Sequence, residues 1–297
     1  MATAAVGTRR EGYADLAAVR LHYVEAGEGP LVVLLHGFPE LWIAWDAQIN
    51  ALAAAGFRVV APDMRGYNLS SRPVGIASYA TPRLAGDVRD LIHERGAERA
   101  MLAGHDWGGE VAWATAKSHP EVVERLAILD ALHPNWKRGG LRAASQFARF
   151  WYKAVFQLPW LPERIASARQ FQALRRLFER DARPGAFSTA DIDRYIEAWS
   201  QPGAVTAMIN YYRASFREPR WDREARTRPV TAPTLVIWGQ RDRYLGAKLA
   251  EPNRADVPHL ERVIYLQDAS HWVTHDEPAE VSRLLIEFFS GNAATTP

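Results

Sequence analysis

The sequence has no cysteine among its 297 residues. Disulfide bonds, thiolate metal sites and a cysteine nucleophile are therefore excluded. No apolar run approaches the roughly 20 residues of a membrane-spanning helix. Residues 1–10 are small and polar and lack the apolar stretch of a signal peptide. From these absences we expect a cytoplasmic protein with no membrane partner.

A strong charge of either sign is also missing. The 36 Lys and Arg residues nearly balance the 34 Asp and Glu residues, which leaves a net charge of +2. This balance gives no reason to expect a nucleic-acid partner or an anionic membrane. With 48% hydrophobic and 24% charged residues, the chain can bury a sizeable core.

Short apolar runs alternate with helical patterns along much of the chain. Two short strands are expected within residues 13–25, and helices over residues 43–55, 82–94 and 278–290. Residues 31–35 form a continuous apolar run, typical of a strand buried on both faces. Further strands are expected at residues 57–61, 100–103, 125–130, 234–238 and 262–266. This alternation predicts an α/β fold with a mostly parallel central sheet flanked by helices.

The alternation stops between about residues 133 and 222, where no buried strand is visible. Helical patterns rich in aromatic residues replace it, at residues 141–156, 163–180, 189–200 and 203–216. The sequence therefore predicts an α-helical cap over residues 134–222, inserted between core segments 1–133 and 223–297. Aromatic residues on helices are more often core than ligand contacts, so composition alone assigns the cap no role.

Residues 101–110 (MLAGHDWGGE) organise the chain. An apolar strand runs into a turn with small residues on both sides, and a helix follows. Such a turn raises its middle residue, here Asp106, above the sheet edge at the positive end of the helix dipole. A carboxylate at this position is already ionised and can attack carbon directly. The alternative interpretation is an ordinary helix N-cap, which Asp also favours.

Candidates for an acid and a base follow two later strands. Asp242 comes after the strand at 234–238 and His271 after the strand at 262–266, both at the edge where parallel sheets form active sites. The order nucleophile, acid, histidine is typical of hydrolases with this elbow. Asp130 also ends a strand and competes for the role of the acid. A solvated loop aspartate and a surface histidine are the simpler interpretations. We expect Asp268, His275 and Asp276 to cap or solvate the last helix.

The segment after the 31–35 strand, residues 36–39 (HGFP), is a candidate oxyanion hole. The backbone N–H groups of Phe38 and Trp107 could together stabilise a developing oxyanion. The alternative is a tight turn that needs Gly and Pro.

Five segments in order resemble the α/β-hydrolase family, and specifically its epoxide hydrolases, over nearly the whole chain: residues 36–40 (HGFPE), 63–70 (DMRGYNLS), 104–109 (GHDWGG), 239–242 (GQRD) and 269–272 (ASHW). The resemblance implies that Asp106 attacks an epoxide carbon to form an alkyl ester. It implies that His271, oriented by Asp242, activates the water that hydrolyses this ester. It implies a small apolar epoxide and water as partners, and no cofactor or metal. A homodimer stays open.

The same resemblance implies two cap tyrosines that hydrogen-bond the epoxide oxygen. Tyr212, within residues 210–213 (NYYR), matches one motif, and Tyr152 is the candidate for the other. Some relatives carry a tyrosine directly before the Phe-Gln pair, where this chain has Val155. Tyr152 lies one helical turn earlier, on the same face. Expected substrate contacts are Trp107, Phe38, Pro39, Trp151 and Tyr211.

Three other functions remain open at this point. Haloalkane dehalogenases share the Asp-Trp-Gly-Gly segment and the ester chemistry, but typically have Asn where this chain has Phe38. Fluoroacetate dehalogenases carry Arg next to the nucleophile, where this chain has Trp107. A hydrolase-fold binding protein without turnover is the third alternative, and the intact set Asp106, Asp242 and His271 argues against it.

Overall fold

A computed structural model describes residues 9–136, 146–217 and 227–291. Its eight strands are β1 (Arg10–Asp15), β2 (Arg20–Ala26), β3 (Leu31–Leu35), β4 (Arg58–Pro62), β5 (Ala100–His105), β6 (Val123–Leu129), β7 (Thr234–Gly239) and β8 (Leu260–Leu266). The helices are α1 (Asp46–Ala54), α2 (Thr81–Glu94), α3 (Trp107–Ser118), α4 (Trp151–Val155), α5 (Leu161–Asp181), α6 (Thr189–Trp199), α7 (Ala204–Arg217), α8 (Val273–Asp276) and α9 (Pro278–Phe289).

The strands form one sheet in the order β1-β2-β4-β3-β5-β6-β7-β8. The β1–β2 and β2–β4 pairs are antiparallel, and every pair from β4 onward is parallel. From β3 the chain crosses to β4 on one side and then returns to β5 on the other. This switch point opens a crevice at the carboxyl ends of β3 and β5, where open parallel sheets place their sites.

Helices cover both faces of the sheet. On one face, Trp45, Ile49 and Leu52 at α1 pack in one buried cluster with Leu285 and Phe288 of α9. The other face is covered by α2 and α3, whose apolar side chains join a second cluster. All five residues of β3 are buried, and each fully buried Leu or Val contributes about 1.5–3 kcal/mol. The central strands therefore supply a rigid support for the turns that follow them.

The chain between β6 and β7 contains only helices in its described parts, α4 to α7. We call residues 146–217 the helical segment. The sequence expectation of one helix over 141–156 is wrong at Phe150, where a turn interrupts the helix before α4 begins, and residues 141–145 lie outside the described residues. The α5 helix also has non-helical backbone from Ala168 to Phe171. The predicted domain border at 133/134 stays a prediction, and the border at 222/223 lies outside the described residues.

The α/β fold predicted from the sequence is confirmed. The limits of β3 to β8 differ by no more than two residues from those expected, and β1 begins at Arg10, ahead of the expected range. The short helix α8 was not predicted. Within the described ranges, no helix is long and apolar enough to cross a membrane.

Candidate active site

Asp106 occupies a strained turn between β5 and α3. Its φ of 49° and ψ of −118° lie outside the helical and extended regions, which for a residue with a side chain is uncommon and typical of functional sites. Gly104 and Gly108 make the turn possible: a Cβ on Gly104 would meet the Gly108 carbonyl oxygen at 2.3 Å. The Asp106 side chain makes no capping hydrogen bond to α3. The ordinary N-cap interpretation therefore fails.

The carboxylate of Asp106 instead faces two partners across the crevice. The Phe38 N–H donates a hydrogen bond to its Oδ1 at 2.9 Å, and His271 Nε2 lies 3.5 Å from its Oδ2. Burial raises the pKa of Asp106, but the hydrogen bond and positive charge of His271 lower it by more, and the net pKa lies below 3.8. Asp106 is therefore an anion at neutral pH, and its side chain is still 18% exposed toward the cavity.

His271 is held from its other ring nitrogen by Asp242. The Nδ1–H donates to Asp242 Oδ2 at 2.8 Å, while Asp242 Oδ1 accepts from the backbone N–H groups of Tyr244 and Leu245 at 2.7 and 2.8 Å. Burial lowers the pKa of His271, but the charge of Asp242 and hydrogen bonds with Asp106 and Asp242 raise it well above 6.5. The three side chains thus form a chain of contacts in the order Asp242, His271, Asp106.

Asp130, the competing acid, takes a different position. Its Oδ1 accepts a hydrogen bond from the Gly239 N–H at 2.8 Å, and its buried Oδ2 has no partner among the described residues. Burial and the nearby charge of Asp242 raise its pKa well above 3.8. Asp130 is not among the hydrogen-bond partners of the His271 ring, so it does not orient that ring as Asp242 does. The geometry favours Asp242.

Both expected oxyanion donors lie next to Asp106. The Phe38 N–H already contacts Oδ1, and the Phe38–Pro39 peptide bond that follows it is cis. Trp107 is the first residue of α3, where backbone N–H groups lack partners within the helix. The Phe38 N–H thus reaches an oxygen of Asp106, and the contribution of the Trp107 N–H stays a prediction.

Tyr152 and Tyr212 come together above Asp106 from different helices, α4 and α7. Their ring centroids are 5.9 Å apart, and both line the same cavity as Asp106. Burial, and then the charge of Asp106, raises the pKa of each hydroxyl well above 10. Edge contacts with Phe38 and Trp107, at 5.2 and 5.0 Å, fix the ring of Tyr212. Both phenols are therefore protonated donors at neutral pH.

The expected substrate contacts separate into two groups. Phe38 and Trp151 line the cavity, whereas Trp107, Pro39 and Tyr211 do not belong to its lining among the described residues. Tyr211 turns away, because its hydroxyl donates to the Arg65 carbonyl at 2.7 Å. The Pro39 carbonyl accepts from the Trp199 indole at 2.6 Å, and the Trp107 ring packs edge-on against the Tyr212 ring with centroids 5.0 Å apart. These three side chains support the cavity wall from behind.

The sequence did not indicate the buried hydrogen-bond network that lies next to His271. Glu40 is fully buried and lies 3.0 Å from His105 Nδ1 and 3.0 Å from His275 Nε2. The other ring nitrogen of His105 lies 2.7 Å from the backbone carbonyl of His271. Although burial raises the pKa of Glu40, the hydrogen bonds with both histidines lower it by more. The network links the residue before Asp106 to the backbone of the base.

The sequence suggested that His275 and Asp276 cap or solvate the last helix, but the structure gives both residues other partners. His275 is tied to Glu40, and Asp276 accepts hydrogen bonds from the Ser270 N–H at 2.7 Å and from the Arg183 N–H at 2.7 Å. Asp268 keeps an exposed ion pair with Arg241. The partners of His275 and Asp276 come from distant parts of the chain, so the local sequence does not distinguish these two buried residues from the exposed Asp268.

The loop that follows Asp242 is joined to the helical segment by hydrogen bonds. Asp181, the last residue of α5, accepts hydrogen bonds from the Tyr244 hydroxyl and from Arg243, the latter at 2.9 Å. The Tyr244 ring packs edge-on against His271 with centroids 5.2 Å apart. The end of α5 is thereby fixed next to the base.

These groups surround a cavity of about 650 Å³ whose walls are mainly apolar. Besides Phe38 and Tyr212, the walls include Val155, Phe156, Leu174, Leu177, Val205, Met208, Ile209 and Trp272. The polar groups at its floor are Asp106 and His271. An apolar cavity with a few convergent polar groups is typical of a site for a small molecule. In the described part of the chain, no group of three His, Asp or Glu side chains is placed to hold a metal ion.

Comparison with known proteins identifies the family of this chain. The family described as the alpha/beta hydrolase fold matches residues 30–278. Human epoxide hydrolase 4 is 37% identical over 278 residues, which cover 91% of this chain and 75% of that protein. The chain belongs to the epoxide hydrolase family of alpha/beta hydrolases.

Other members of the superfamily extend this similarity. The crystal structure of epoxide hydrolase A from Mycobacterium thermoresistibile superposes with a TM-score of 0.85 at 33% identity, covering 96% of this chain and 99% of that one. The AB hydrolase superfamily protein YfhM of Bacillus subtilis (strain 168) is 42% identical over 273 residues, 91% of this chain and 94% of that protein. The name of the Bacillus subtilis protein gives its superfamily and no substrate.

Proposed function

We propose that this protein is an epoxide hydrolase that opens small apolar epoxides to vicinal diols through a covalent ester on Asp106. One observation carries the proposal: a carboxylate paired with a histidine and two protonated phenols line the same apolar cavity. The carboxylate supplies a nucleophile, and the phenols supply protons to the oxygen that leaves. The membership of the chain in the epoxide hydrolase family supports this interpretation.

In the first step, one oxygen of Asp106 attacks an epoxide carbon. A C–O ester bond forms while the epoxide C–O bond breaks, and the electron pair of that bond moves to the epoxide oxygen. An alkoxide is a poor leaving group unless it accepts a hydrogen bond or a proton as its charge develops. Tyr152 and Tyr212 provide that help, because their raised pKa values keep both hydroxyls protonated.

In the second step, His271 removes a proton from water, and the water oxygen attacks the ester carbonyl carbon. Negative charge then develops on the Asp106 oxygen that the Phe38 N–H contacts, where the oxyanion donors stabilise it. The ester bond breaks, and the departing diol oxygen takes the proton from His271. The water oxygen remains in the Asp106 carboxyl group. The second proton of the water replaces the proton that the tyrosines gave to the alkoxide, and the free enzyme is restored.

The helical segment acts as the cap in this proposal. It contributes Tyr152, Tyr212 and most of the apolar wall, while the sheet contributes the nucleophile, base and acid. Exclusion of water by such a cover strengthens the charge interactions at the floor of the cavity. The cytoplasmic location and the homodimer stay predictions.

Dehalogenation is the main alternative, because the ester chemistry of Asp106 serves it equally well. Halide departure needs no proton, so paired phenols have no purpose in a dehalogenase. Phe38 also offers the cavity an apolar ring, where a halide would need a donor. The phenol pair in the same cavity as Asp106 therefore favours the epoxide.

A panel of three substrate types tests the proposal: a styrene-type epoxide, a bromoalkane and fluoroacetate. We expect diol from the epoxide, and we expect the variant Asp106→Ala to form none. Release of bromide or fluoride without diol formation would assign the protein to the dehalogenases instead. An absence of turnover on all three would favour a binding protein without catalysis.

A further inference from the structure

Exposed apolar side chains are concentrated in one stretch of the chain. Eleven large apolar residues are exposed among those described, and six of them lie within residues 147–165. We call these six the mouth patch: Phe147, Trp151, Leu158, Trp160, Leu161 and Ile165. Trp151 and Trp160 are 70% and 62% exposed. Single exposed apolar residues are ordinary, but a contiguous group marks a surface for interaction.

The mouth patch is continuous with the cavity that holds Asp106. Trp151 and Ile165 each line the cavity and are also exposed, Ile165 by 51%. Pro162, between the exposed Leu161 and Ile165, lines the cavity as well. On α4, Trp151 and Ala154 are exposed and the other three residues are half-buried. The patch therefore forms the rim of the cavity entrance.

Basic residues predominate in the stretch of chain that carries this rim. Residues 146–181 contain seven Lys or Arg residues and three Asp or Glu residues. Two of those acids, Glu163 and Asp181, pair with arginines from outside the stretch. The guanidinium of Arg164 lies over the ring of Trp160, 5.7 Å from its centroid. Exposed Trp and Leu side chains with neighbouring cations are the combination found at the surface of anionic membranes.

A second copy of the chain is the poorer partner for the same surface. Two mouth patches placed face to face would bring two cationic stretches together, and like charges across an interface oppose association. An anionic lipid surface instead offers both phosphate groups for the arginines and an apolar region for the indoles.

We propose that the mouth patch docks peripherally onto an anionic phospholipid surface, with the cavity entrance facing the lipid. The net charge of the whole chain, only +2, conceals this local excess, and for this reason composition gave no membrane partner. The docking goes beyond the proposed reaction and does not depend on it. Only its benefit rests on that function, since an apolar epoxide dissolved in the lipid would reach the cavity directly.

Co-sedimentation of the full chain with phospholipid vesicles tests the docking without any catalytic readout. We expect binding to vesicles of phosphatidylcholine mixed with phosphatidylglycerol and weaker binding to phosphatidylcholine alone. The difference should shrink as salt is added, because salt screens the attraction between exposed charges.

Variants at the rim test which surface binds. Trp160→Ser combined with Leu161→Ser should lower the partition onto mixed vesicles by roughly tenfold, because it removes large apolar groups from the interface. Arg164→Gln should lower binding to mixed vesicles but not to phosphatidylcholine alone. Val74→Ser is the matched control, since Val74 is 95% exposed and lies outside the patch. Thermal unfolding should verify that each variant is folded.

Three results would overturn the docking proposal: no sedimentation with mixed vesicles, equal binding by the double variant, or self-association that the double variant abolishes without any vesicle binding. The last result would make the patch an interface between copies. If the wild type binds vesicles but forms no diol, the docking stands and the proposed reaction fails.

Discussion

His271 Nε2 lies 3.5 Å from Asp106 Oδ2, within the range of an ion pair when the ring is protonated. Burial alone would lower the pKa of His271, and the charges of Asp242 and Asp106 are what raise it. Esterification makes Asp106 neutral and removes one of these two charges. The pKa of His271 must therefore fall once the ester forms, which releases a proton and prepares the ring to act as a base.

The two steps should consequently respond differently to pH. Asp106 has a lowered pKa, so ester formation should continue as pH falls from neutral toward the ordinary carboxyl range near 4. Ester hydrolysis needs neutral His271 and should slow by about tenfold per pH unit below the pKa of His271 in the ester. Rapid quenching and intact-protein mass measurement should show the ester accumulating at acidic pH. Equal slowing of both steps would contradict the assigned base.

Replacement of the base should separate the two steps completely. In His271→Gln, ester formation should proceed while hydrolysis stalls, because only the second step needs a proton acceptor. The mass of the protein should rise by one epoxide per chain and stay there. His259→Gln is a suitable control, since His259 is exposed and far along the chain from the elbow. Normal multiple turnover by His271→Gln would contradict the assignment of His271 as the base.

Much of the site could be predicted because it depends on local signals. Apolar runs gave the strands, and the small residues around Asp106 gave the turn that raises it. The directions of Tyr211 and Tyr212 could not be predicted. Consecutive residues on a helix point about 100° apart, and only the packing of α7 decides that Tyr212 faces the cavity while Tyr211 faces Arg65.

The network of Glu40, His105 and His275 escaped prediction for a related reason. Its members lie on the loop after β3, at the end of β5 and on α8, and nothing in the spacing of these residues indicates that they meet. The break at Phe150 and the irregular stretch in α5 were also missed, since apolar periodicity continues across both. Contacts between distant parts of the chain set all of these features.

The choice between Asp242 and Asp130 as the acid makes a clear mutational contrast. Asp242→Asn should slow ester hydrolysis by about 10²- to 10⁴-fold, the usual range for lost acid–base support, because His271 loses its charged partner. Asp130→Asn should leave turnover near the wild-type rate, because the pKa of Asp130 is raised and an amide oxygen can still accept from Gly239. Single-turnover hydrolysis rates measure both effects. The opposite pattern would transfer the acid role to Asp130.

Heavy-oxygen labelling tests the covalent step itself. In a single turnover in ¹⁸O-labelled water, the label should enter the Asp106 carboxylate, since the water oxygen attacks the ester carbonyl carbon. The first diol formed should therefore be unlabelled. Mass analysis of the peptide that contains Asp106 reads the result. Label in the first diol would mean that water attacks the epoxide directly.

The phenol pair separates an epoxide hydrolase from a dehalogenase. Tyr152→Phe or Tyr212→Phe should slow ester formation by about one to two orders of magnitude, because each removes one donor to the developing alkoxide. The double change should nearly abolish ester formation but leave hydrolysis of a preformed ester unchanged. Quenching of tryptophan fluorescence before the steady state can follow the first step, since Trp107 adjoins Asp106.

Tyr211→Phe provides the matched control for this pair. It removes a buried hydrogen bond to the Arg65 carbonyl and should lower the free energy of unfolding by about 1 kcal/mol. Ester formation should continue at the wild-type rate, because the Tyr211 hydroxyl does not face the cavity. Unchanged ester formation in Tyr152→Phe would transfer that donor role to another cavity residue. Unchanged ester formation in Tyr212→Phe would contradict the epoxide assignment, because epoxide opening needs the proton of this hydroxyl. Such a result would fit halide displacement, in which no step needs that proton.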